Sequence, residues 1–282
     1  MHPLHRPAVV LLHSSASSSR QWQGLVDALE SRYRVFAVDL HGHGARPPWP
    51  GPAPLSLADE AALVAPILAR CGSAHLVGHS YGGAVAIKLA TLYPQAVRSI
   101  VVYEPVWFRL LIDSGAGPAA TVPLELGAAL QERMAQGDAA GTAQRFVDFW
   151  SGTGAWRSLP GAKQAAIVER MPSVMAQFDA LVGESAAPWR AARLVMPRLL
   201  LAGGASNDTA RRITALLRAE WPDARHETLP GLGHMGPITH APRVDARIAA
   251  FLDAQGPSRR ADPRFRLPPA TSTPELLKES ST

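Results

Sequence analysis

Apolar runs of strand length alternate with segments of helical periodicity along most of this chain of 282 residues. Such alternation predicts βαβ units, because parallel strands need a crossover connection between them. The expected fold class is therefore α/β, with a mostly parallel sheet of about six strands flanked by helices. The predicted strands lie near Ala8–His13, Arg34–Leu40, Ala74–His79, Ser99–Glu104, Arg198–Gly203 and Arg225–Leu229. The predicted core helices lie near Gln21–Glu30, Leu57–Arg70, Gly83–Leu92, Thr209–Glu220 and Arg243–Asp253.

The segment between the fourth and fifth predicted strands departs from this alternation. Residues 105–188 show helical spacing and no strand pattern, which predicts an all-helical insertion over a core made of residues 1–104 and 189–255. Residues 256–282 combine prolines and scattered charges with little apolar pattern, so we predict a disordered tail. Helical spacing within the insertion is found at Leu124–Met134, Ala143–Trp150, Lys163–Met171 and Val174–Val182.

A serine stands where the third predicted strand gives way to a helix. The sequence GHSYG at residues 78–82 fits the pattern G-x-S-x-G, in which the glycines let strand and helix pack closely around a sharp turn. Such a turn exposes the Ser80 hydroxyl beside a helix N-terminus, where negative charge is stabilised. The pattern therefore predicts a nucleophile at Ser80, and the alternative interpretation is a Gly-Ser turn without chemistry.

Four ordered segments together resemble the α/β-hydrolase family over about residues 8–255. Besides the GHSYG turn, residues 11–22 are similar to the family's H-G-x-x-x-S-x-x-x-W segment, and residues 38–46 to its D-x-x-G-x-G loop. Residues 229–240, LPGLGHMGPITH, resemble the segment that delivers the family's catalytic histidine. The resemblance implies a serine hydrolase with a helical cap, in which His234 is the base that activates Ser80.

The position of His234 agrees with this implication. The residue follows a predicted strand at the carboxyl edge of the sheet, where open α/β sheets bind their ligands. The resemblance also implies an oxyanion hole formed by the backbone N–H groups of Ser15 and Tyr81. Ser14 stands where the family usually has a glycine, so the sequence departs from the family pattern at the entry to this first loop.

The acid that would orient His234 has two candidates. The family usually takes this acid from a G-x-x-D turn, but three residues after Gly203 the chain has Ser206, and Asp208 comes two residues too late. Asp208 also precedes a predicted helix and suits its N-cap. Glu104 ends the strand beside the nucleophile strand, a place where some members of the superfamily carry the acid. We predict Glu104, with Asp208 as the alternative acid; a salt bridge or hinge role is the other interpretation of Glu104.

Composition argues against several classes of function. The formal net charge is +5, but the basic residues are spread singly, with pairs only at Arg211-Arg212 and Arg259-Arg260, and without interleaved aromatics, so no nucleic-acid partner is expected. No apolar run approaches the roughly 20 residues of a membrane span, and no signal peptide is recognisable, so no membrane association is expected. Because the single cysteine cannot form an intramolecular disulfide, we expect a cytoplasmic protein. No metal or cofactor motif is present, and no metal or cofactor is expected.

The predicted insertion is rich in aromatic residues, most of which we expect to pack between helices and sheet. One or two of them are predicted to line an apolar acyl or aryl pocket that prefers small or medium apolar esters over charged ones. The leading hypothesis is a cofactor-free serine hydrolase that cleaves an ester, lactone, thioester or vinylogous carbon–carbon bond through an acyl-enzyme. An acyltransferase or perhydrolase with the same residues, and a catalytically impaired binding protein, remain alternatives. The aromatic residues are Trp107, Phe108, Phe146, Phe149, Trp150, Trp156, Phe178 and Trp189.

The first predicted strand begins so early that no hairpin can precede it. The edge of the sheet is therefore expected to be exposed or covered in some other way, because unpaired edge strands invite association. A homodimer contact or the tail could cover this edge.

Overall fold

Six parallel strands form one sheet in the computed structural model, which describes residues 6–115, 117–185 and 194–256. The strand order is β2-β1-β3-β4-β5-β6, and each neighbouring pair runs in the same direction. This order confirms the predicted parallel α/β sheet of six strands. The strands are β1 (Ala8–Leu12), β2 (Arg34–Val38), β3 (Ala74–His79), β4 (Val97–Tyr103), β5 (Arg198–Gly203) and β6 (Arg225–Leu229).

Helices connect the strands and begin at recognisable signals. At the start of α2, the Ser56 hydroxyl accepts the N–H of Asp59 while the Asp59 carboxylate accepts the N–H of Ser56, a reciprocal capping box. The helices described are α1 (Gln23–Leu29), α2 (Leu57–Cys71), α3 (Tyr81–Leu92), α4 (Phe108–Asp113), α5 (Pro118–Ala135), α6 (Ala139–Ser151), α7 (Gly161–Gly183), α8 (Asp208–Glu220), α9 (Gly236–Thr239) and α10 (Ala241–Ala254).

Both faces of the sheet are buried, as the continuous apolar strands predict. Because side chains alternate along a strand, Val9 and Leu11 of β1 belong to the core formed with α1 and α10. Val10 and Leu12 belong to the opposite core, which contains residues of α2, α3 and α8. The carboxyl edge of the sheet is consequently the open end on which loops can build a site.

The long insertion between β4 and β5 is helical, with α4 to α7 among its described residues. The helical spacing predicted at Lys163–Met171 and Val174–Val182 falls within one continuous helix, α7, which contains Pro172. A proline removes one internal hydrogen bond, but Met171 and Val174 on either side are buried, and tertiary packing of this kind can outweigh that cost. The end of the predicted insertion, the aromatic residue Trp189 and, except for Gly256, the predicted tail lie outside the described residues.

Within these described ranges, no helix combines the length and the apolar character needed to cross a membrane. The same ranges contain no group of three or more His, Cys, Asp or Glu side chains placed to hold a metal ion. Strands β2 and β6 form the two edges of the sheet.

Candidate active site

Ser80 lies at the turn between β3 and α3 in a strained backbone conformation, with φ 55° and ψ −118°. A non-glycine residue adopts such a positive φ only where its surroundings enforce it. Here the Ser80 N–H donates to the Tyr103 carbonyl oxygen at 3.1 Å, and the Ser80 carbonyl accepts from the N–H of Val106 at 3.1 Å. These bonds to the last residue of β4 and to the segment just after it hold the turn in place.

The glycines on either side of Ser80 are required by close packing. A Cβ on Gly78 would lie 2.4 Å from the carbonyl oxygen of Gly82, and one on Gly82 would lie 2.3 Å from that of Leu12. Since real Cβ atoms do not approach oxygens this closely, both positions need glycine. The G-x-S-x-G pattern is therefore explained by the geometry of the turn.

Three of the residues singled out in the sequence meet at the carboxyl edge of the sheet. The Ser80 hydroxyl lies 3.0 Å from Nε2 of His234, and Nδ1 of His234 lies 2.8 Å from Oε2 of Glu104. All three side chains are buried, with 6% exposure for Ser80, 2% for His234 and 1% for Glu104. Because a carboxylate accepts, His234 donates from Nδ1 and leaves Nε2 free to accept the serine proton.

Glu104 directly follows β4 and is held on both carboxylate oxygens. Its Oε1 accepts the Gly203 N–H at 2.7 Å and the Ser206 hydroxyl at 2.6 Å, while Oε2 faces His234. The backbone of Glu104 has a φ of 41°, a second strained position in this site. The carboxylate is thus fixed in one orientation by donors from the end of β5 and from the loop after it.

The alternative acid, Asp208, lies away from His234. Its carboxylate is exposed and bonds to Arg212 at 2.5 Å and to Arg211 at 3.5 Å, one turn along its own helix. These two arginines hold the pKa of the Asp208 carboxyl below its usual range. The neighbouring Asn207 caps α8 by accepting the N–H of Ala210 at 2.9 Å.

The loop that carries His234 is fixed by two residues that sequence reasoning did not assign to this task. The Tyr103 hydroxyl donates to the Gly233 carbonyl at 2.7 Å, and His79 donates from Nε2 to the His234 carbonyl at 2.8 Å. Burial lowers the pKa of His79 well below its ordinary value, so this imidazole stays neutral beside the His234 ring. The position of His79 inside GHSYG could have indicated this role from the sequence. No local pattern in the sequence marks Tyr103.

A chain of hydrogen bonds continues from His79 to the first loop. Because Nε2 of His79 donates, its Nδ1 accepts from the Gln21 amide at 3.1 Å. The Gln21 oxygen then accepts the Ser14 N–H at 3.1 Å and the Ser14 hydroxyl at 3.0 Å. Gln21 therefore accommodates the serine that replaces the family's usual glycine.

The residues predicted to supply the oxyanion hole both line the cavity above Ser80. Tyr81 is the first residue of α3, where a backbone N–H has no partner within the helix. The Ser15 hydroxyl donates to Oε1 of Gln177 at 2.7 Å, which ties the first loop to α7 of the insertion. Ala16, with a φ of 59°, donates its N–H to Nε2 of His43 at 3.1 Å.

Two buried histidines and one buried glutamate accept hydrogen bonds around the first loop and the start of α3. Burial lowers the pKa of His13 to about 4 and that of His43 to about 3, so both rings are neutral acceptors near pH 7. His13 accepts the Leu40 N–H at 3.0 Å, which agrees with a structural role. Burial raises the pKa of Glu60 to about 7, and this carboxyl accepts from the Tyr81 hydroxyl at 3.3 Å.

A cavity of about 640 Å³ lies between Ser80, His234 and the helical insertion. Four aromatic residues of the insertion line it, where the sequence analysis expected one or two. The indole of Trp150 stacks on the His234 ring, with ring centroids 4.3 Å apart and planes inclined by 26°. The aromatic lining consists of Phe108, Phe146, Trp150 and Phe178.

The fold and this site define a hydrolase of the α/β type, and comparison with known proteins agrees. The chain belongs to the alpha/beta hydrolase family, which it matches over residues 9–254. It is 30% identical over 266 residues to the pimeloyl-(acyl-carrier protein) methyl ester esterase of Aeromonas hydrophila subsp. hydrophila, covering 87% of this chain and 95% of that relative.

Solved structures show the same fold. A hydrolase from Pseudomonas aeruginosa PA01 is 25% identical, with a TM-score of 0.69 and coverage of 88% of this chain and 90% of its own. A thermophilic esterase from Thermogutta terrifontis is 20% identical, with a TM-score of 0.70 and coverage of 88% and 90% respectively. At that identity the second likeness concerns the fold alone.

Proposed function

We propose that this protein is a cofactor-free serine hydrolase that cleaves carboxylic esters through an acyl-enzyme on Ser80. The observation that carries the proposal is the continuous hydrogen-bonded arrangement of Ser80, His234 and Glu104 at the floor of the cavity. The same order of nucleophile, base and orienting acid activates serine on several unrelated folds. In this proposal the helical insertion is a cap that covers the site.

The first half of the reaction forms the acyl-enzyme. Ser80 Oγ attacks the ester carbonyl carbon while its proton passes to Nε2 of His234, and Glu104 stabilises the resulting imidazolium. The negative charge that develops on the carbonyl oxygen is accepted by the N–H groups of Ser15 and Tyr81. Collapse of this intermediate breaks the bond to the alcohol oxygen, which leaves with the proton from His234.

The second half releases the acid. A water molecule gives a proton to Nε2 of His234 as its oxygen attacks the acyl carbon, and a second tetrahedral intermediate forms. Its collapse breaks the bond to Ser80 Oγ, which recovers its proton from His234. The products are one carboxylic acid and one alcohol, and the enzyme returns to its starting state.

Carboxylic esters are the preferred substrate class because the relative from Aeromonas hydrophila is a methyl ester esterase by name. That relative covers nearly the whole chain, so its insertion and its core are both matched here. The aromatic lining of the cavity supports an apolar acyl or aryl part next to the scissile bond. A substrate panel that also contains thioesters, lactones and vinylogous ketones tests this preference.

The test combines labelling of the nucleophile with a substrate panel. Wild-type protein is expected to react with a fluorophosphonate probe and to hydrolyse small esters, whereas Ser80→Ala should lose both by on the order of 10⁴-fold or more. Circular dichroism and thermal unfolding check that Ser80→Ala remains folded. Undiminished ester turnover in Ser80→Ala overturns the proposed mechanism.

Other outcomes separate the alternatives. A chain that neither reacts with the probe nor turns over any member of the panel is a binding protein on this fold. Product analysis in the presence of a second alcohol or of hydrogen peroxide distinguishes hydrolysis from acyl transfer and perhydrolysis, since only those reactions give a new ester or a peracid. Faster turnover of thioesters, lactones or vinylogous ketones than of esters would reassign the substrate class.

A further inference from the structure

The lining of the cavity above Ser80 is chemically mixed. Aromatic and aliphatic side chains form much of it. The lining also includes two serines and three basic residues, which together we call the basic wall: Ser17, Ser18, Arg20, Lys163 and Arg170. A pocket for a wholly apolar substrate needs no such wall.

Helix α7 brings two of these cations to the same face. Lys163, Ile167, Arg170 and Val174 follow the spacing of i, i+4, i+7 and i+11, and all four line the cavity. At a rise of about 1.5 Å per residue, the first and third of these positions are separated by about 10 Å along the helix. The face of α7 that lines the cavity therefore combines two cations, exposed Lys163 and half-buried Arg170, with two apolar side chains.

Arg170 lies deepest and reaches the first loop. Its guanidinium is 3.4 Å from the carbonyl oxygen of Ala16, the residue that follows Ser15. The charge of Arg170 also contributes to lowering the pKa of His13 and of His43, which places its field at this loop. The guanidinium is half-buried beside the proposed oxyanion hole.

Nothing among the described residues neutralises this wall. None of the cavity-lining residues is an aspartate or a glutamate. Neither Arg20, Lys163 nor Arg170 forms an ion pair within the part of the chain that the structure describes. A cleft lined by one sign of charge concentrates molecules of the opposite sign, and a half-buried unpaired cation gains most when such a molecule binds.

Hydroxyl donors accompany the cations. Ser17 and Ser18 line the cavity, and the Ser18 side chain makes no capping bond to the 3₁₀ helix that follows at Ser19–Trp22. Hydroxyl and guanidinium groups together are a donor set that suits a carboxylate or phosphate oxygen.

From these features we propose that the basic wall is a binding subsite for an anionic group of the substrate, a carboxylate or a phosphate, joined to the scissile ester by an apolar segment. The proposal rests on the proposed ester hydrolase function and changes the expected substrate: the sequence favoured apolar esters over charged ones. The aromatic and aliphatic lining binds the hydrocarbon segment, and Arg170 binds the anionic end.

Matched ester pairs test the proposal. Monomethyl suberate is compared with methyl suberamate, which has a neutral amide in place of the carboxylate at the far end of the acyl chain. A second pair, para-carboxyphenyl octanoate and its carboxamide, places the carboxylate or the amide on the alcohol part of the ester. In at least one pair the wild-type kcat/KM should favour the anion by about tenfold, the usual size of a charge-assisted hydrogen bond. Raising the ionic strength should reduce that preference.

Variants then locate the preference. Arg170→Gln should bring the anion-to-amide ratio in kcat/KM close to one, and Arg170→Lys should keep part of it. The matched control is Arg145→Gln, an exposed arginine of the same insertion that does not line the cavity, and it should keep the full ratio. Equal rates on anion and amide in both wild-type pairs, or an unchanged ratio in Arg170→Gln, would overturn the subsite.

A binding measurement separates this proposal from the hydrolase function itself. Calorimetric titration of Ser80→Ala protein with monomethyl suberate and with methyl suberamate needs no turnover. Tighter binding of the anion that disappears in Ser80→Ala/Arg170→Gln supports the subsite even if wild-type protein hydrolyses neither ester. Hydrolysis of neutral esters with no anion preference in either assay refutes the subsite while the hydrolase function stands.

Discussion

The Ser206 hydroxyl donates a hydrogen bond to the carboxylate of Glu104, with 2.6 Å between the two oxygens. Ser206 occupies the position at which related sequences usually carry the acid, three residues after Gly203. Glu104 reaches His234 from the neighbouring strand end instead, at 2.8 Å. The position that usually carries the acid in the family thus donates a hydrogen bond to Glu104, the proposed acid, which follows the neighbouring strand β4.

Replacing Glu104 should lower kcat, which depends on the orientation of His234, and leave substrate binding nearly unchanged. Glu104→Gln presents an amide to Nδ1 of His234 and disturbs the tautomer, so kcat should fall by about 10⁴-fold with little change in KM. Asp208→Asn is the matched control and should stay close to wild type, because Asp208 contacts only arginines of its own helix. Steady-state ester hydrolysis measures both, and a large loss in Asp208→Asn alone would reverse the assignment of the acid.

The acid should be transferable between the two strand ends. In Glu104→Gly/Ser206→Asp, a carboxylate at position 206 starts from a side chain that already touches the Glu104 carboxylate, and glycine tolerates the positive φ at position 104. We expect the kcat of the double variant to be at least about tenfold above that of Glu104→Gly alone. This would recover part of the activity that is lost when the acid is removed. No recovery in a folded double variant would mean that position 206 cannot orient His234.

Gln177 should link the insertion to the proposed oxyanion hole. Gln177→Leu removes the 2.7 Å bond from the Ser15 hydroxyl and the amide hydrogen bond to buried Glu60. We expect about a tenfold lower kcat with a smaller change in KM, and about 1–3 kcal/mol lower stability from the unpaired groups. The control is Gln131→Leu, which loses only an exposed bond to Asp179. Lower stability with unchanged kcat would limit Gln177 to a structural role.

Trp150 should assist the base through its ring. The indole face lies 4.3 Å from the His234 ring centroid, and such a face attracts the imidazolium that forms during acylation. Trp150→Leu is expected to lower kcat by about tenfold, and Trp150→Phe should retain part of the rate. Trp49→Leu, a change outside the cavity, is the control. Equal losses in the Leu and Phe variants would argue for packing rather than for the aromatic face.

Stability should depend on pH through Asp245. Burial raises the pKa of Asp245 to about 7, so the folded state holds a proton that the unfolded state loses at lower pH. Stability from this group is therefore present at acidic pH and is lost as pH rises through about 7. Asp245→Asn should raise the melting temperature relative to wild type at pH above 8, and this gain should shrink at pH 5.

The control for this pH dependence is Glu132→Gln, at an exposed position of α5. Its melting temperature relative to wild type should show no comparable change between the two pH values, because an exposed side chain keeps its water in both states. A pH-independent difference for Asp245→Asn would show that its carboxyl titrates alike in the folded and unfolded states.

Much of this protein follows from local sequence. The alternation of apolar runs with helical spacing predicts the parallel sheet, because each period matches one secondary structure and the strands are buried on both faces. GHSYG predicts the sharp turn at Ser80, since only glycine tolerates the backbone contacts made at positions 78 and 82. Ser80, His234 and Glu104 could be named because each directly follows a recognisable strand or lies in a recognisable turn.

Other features depended on contacts between distant segments. Pro172 lies inside α7, and the buried residues on both sides of it keep the helix continuous. Asp208 and Glu104 could not be separated by spacing alone, because only the order of strands places Glu104 beside His234. Gln177 and Arg170 carry no local signal, since their roles arise where α7 meets a loop more than 150 residues earlier in the chain. Side-chain partners of this kind are decided by tertiary packing, which residue type and periodicity do not encode.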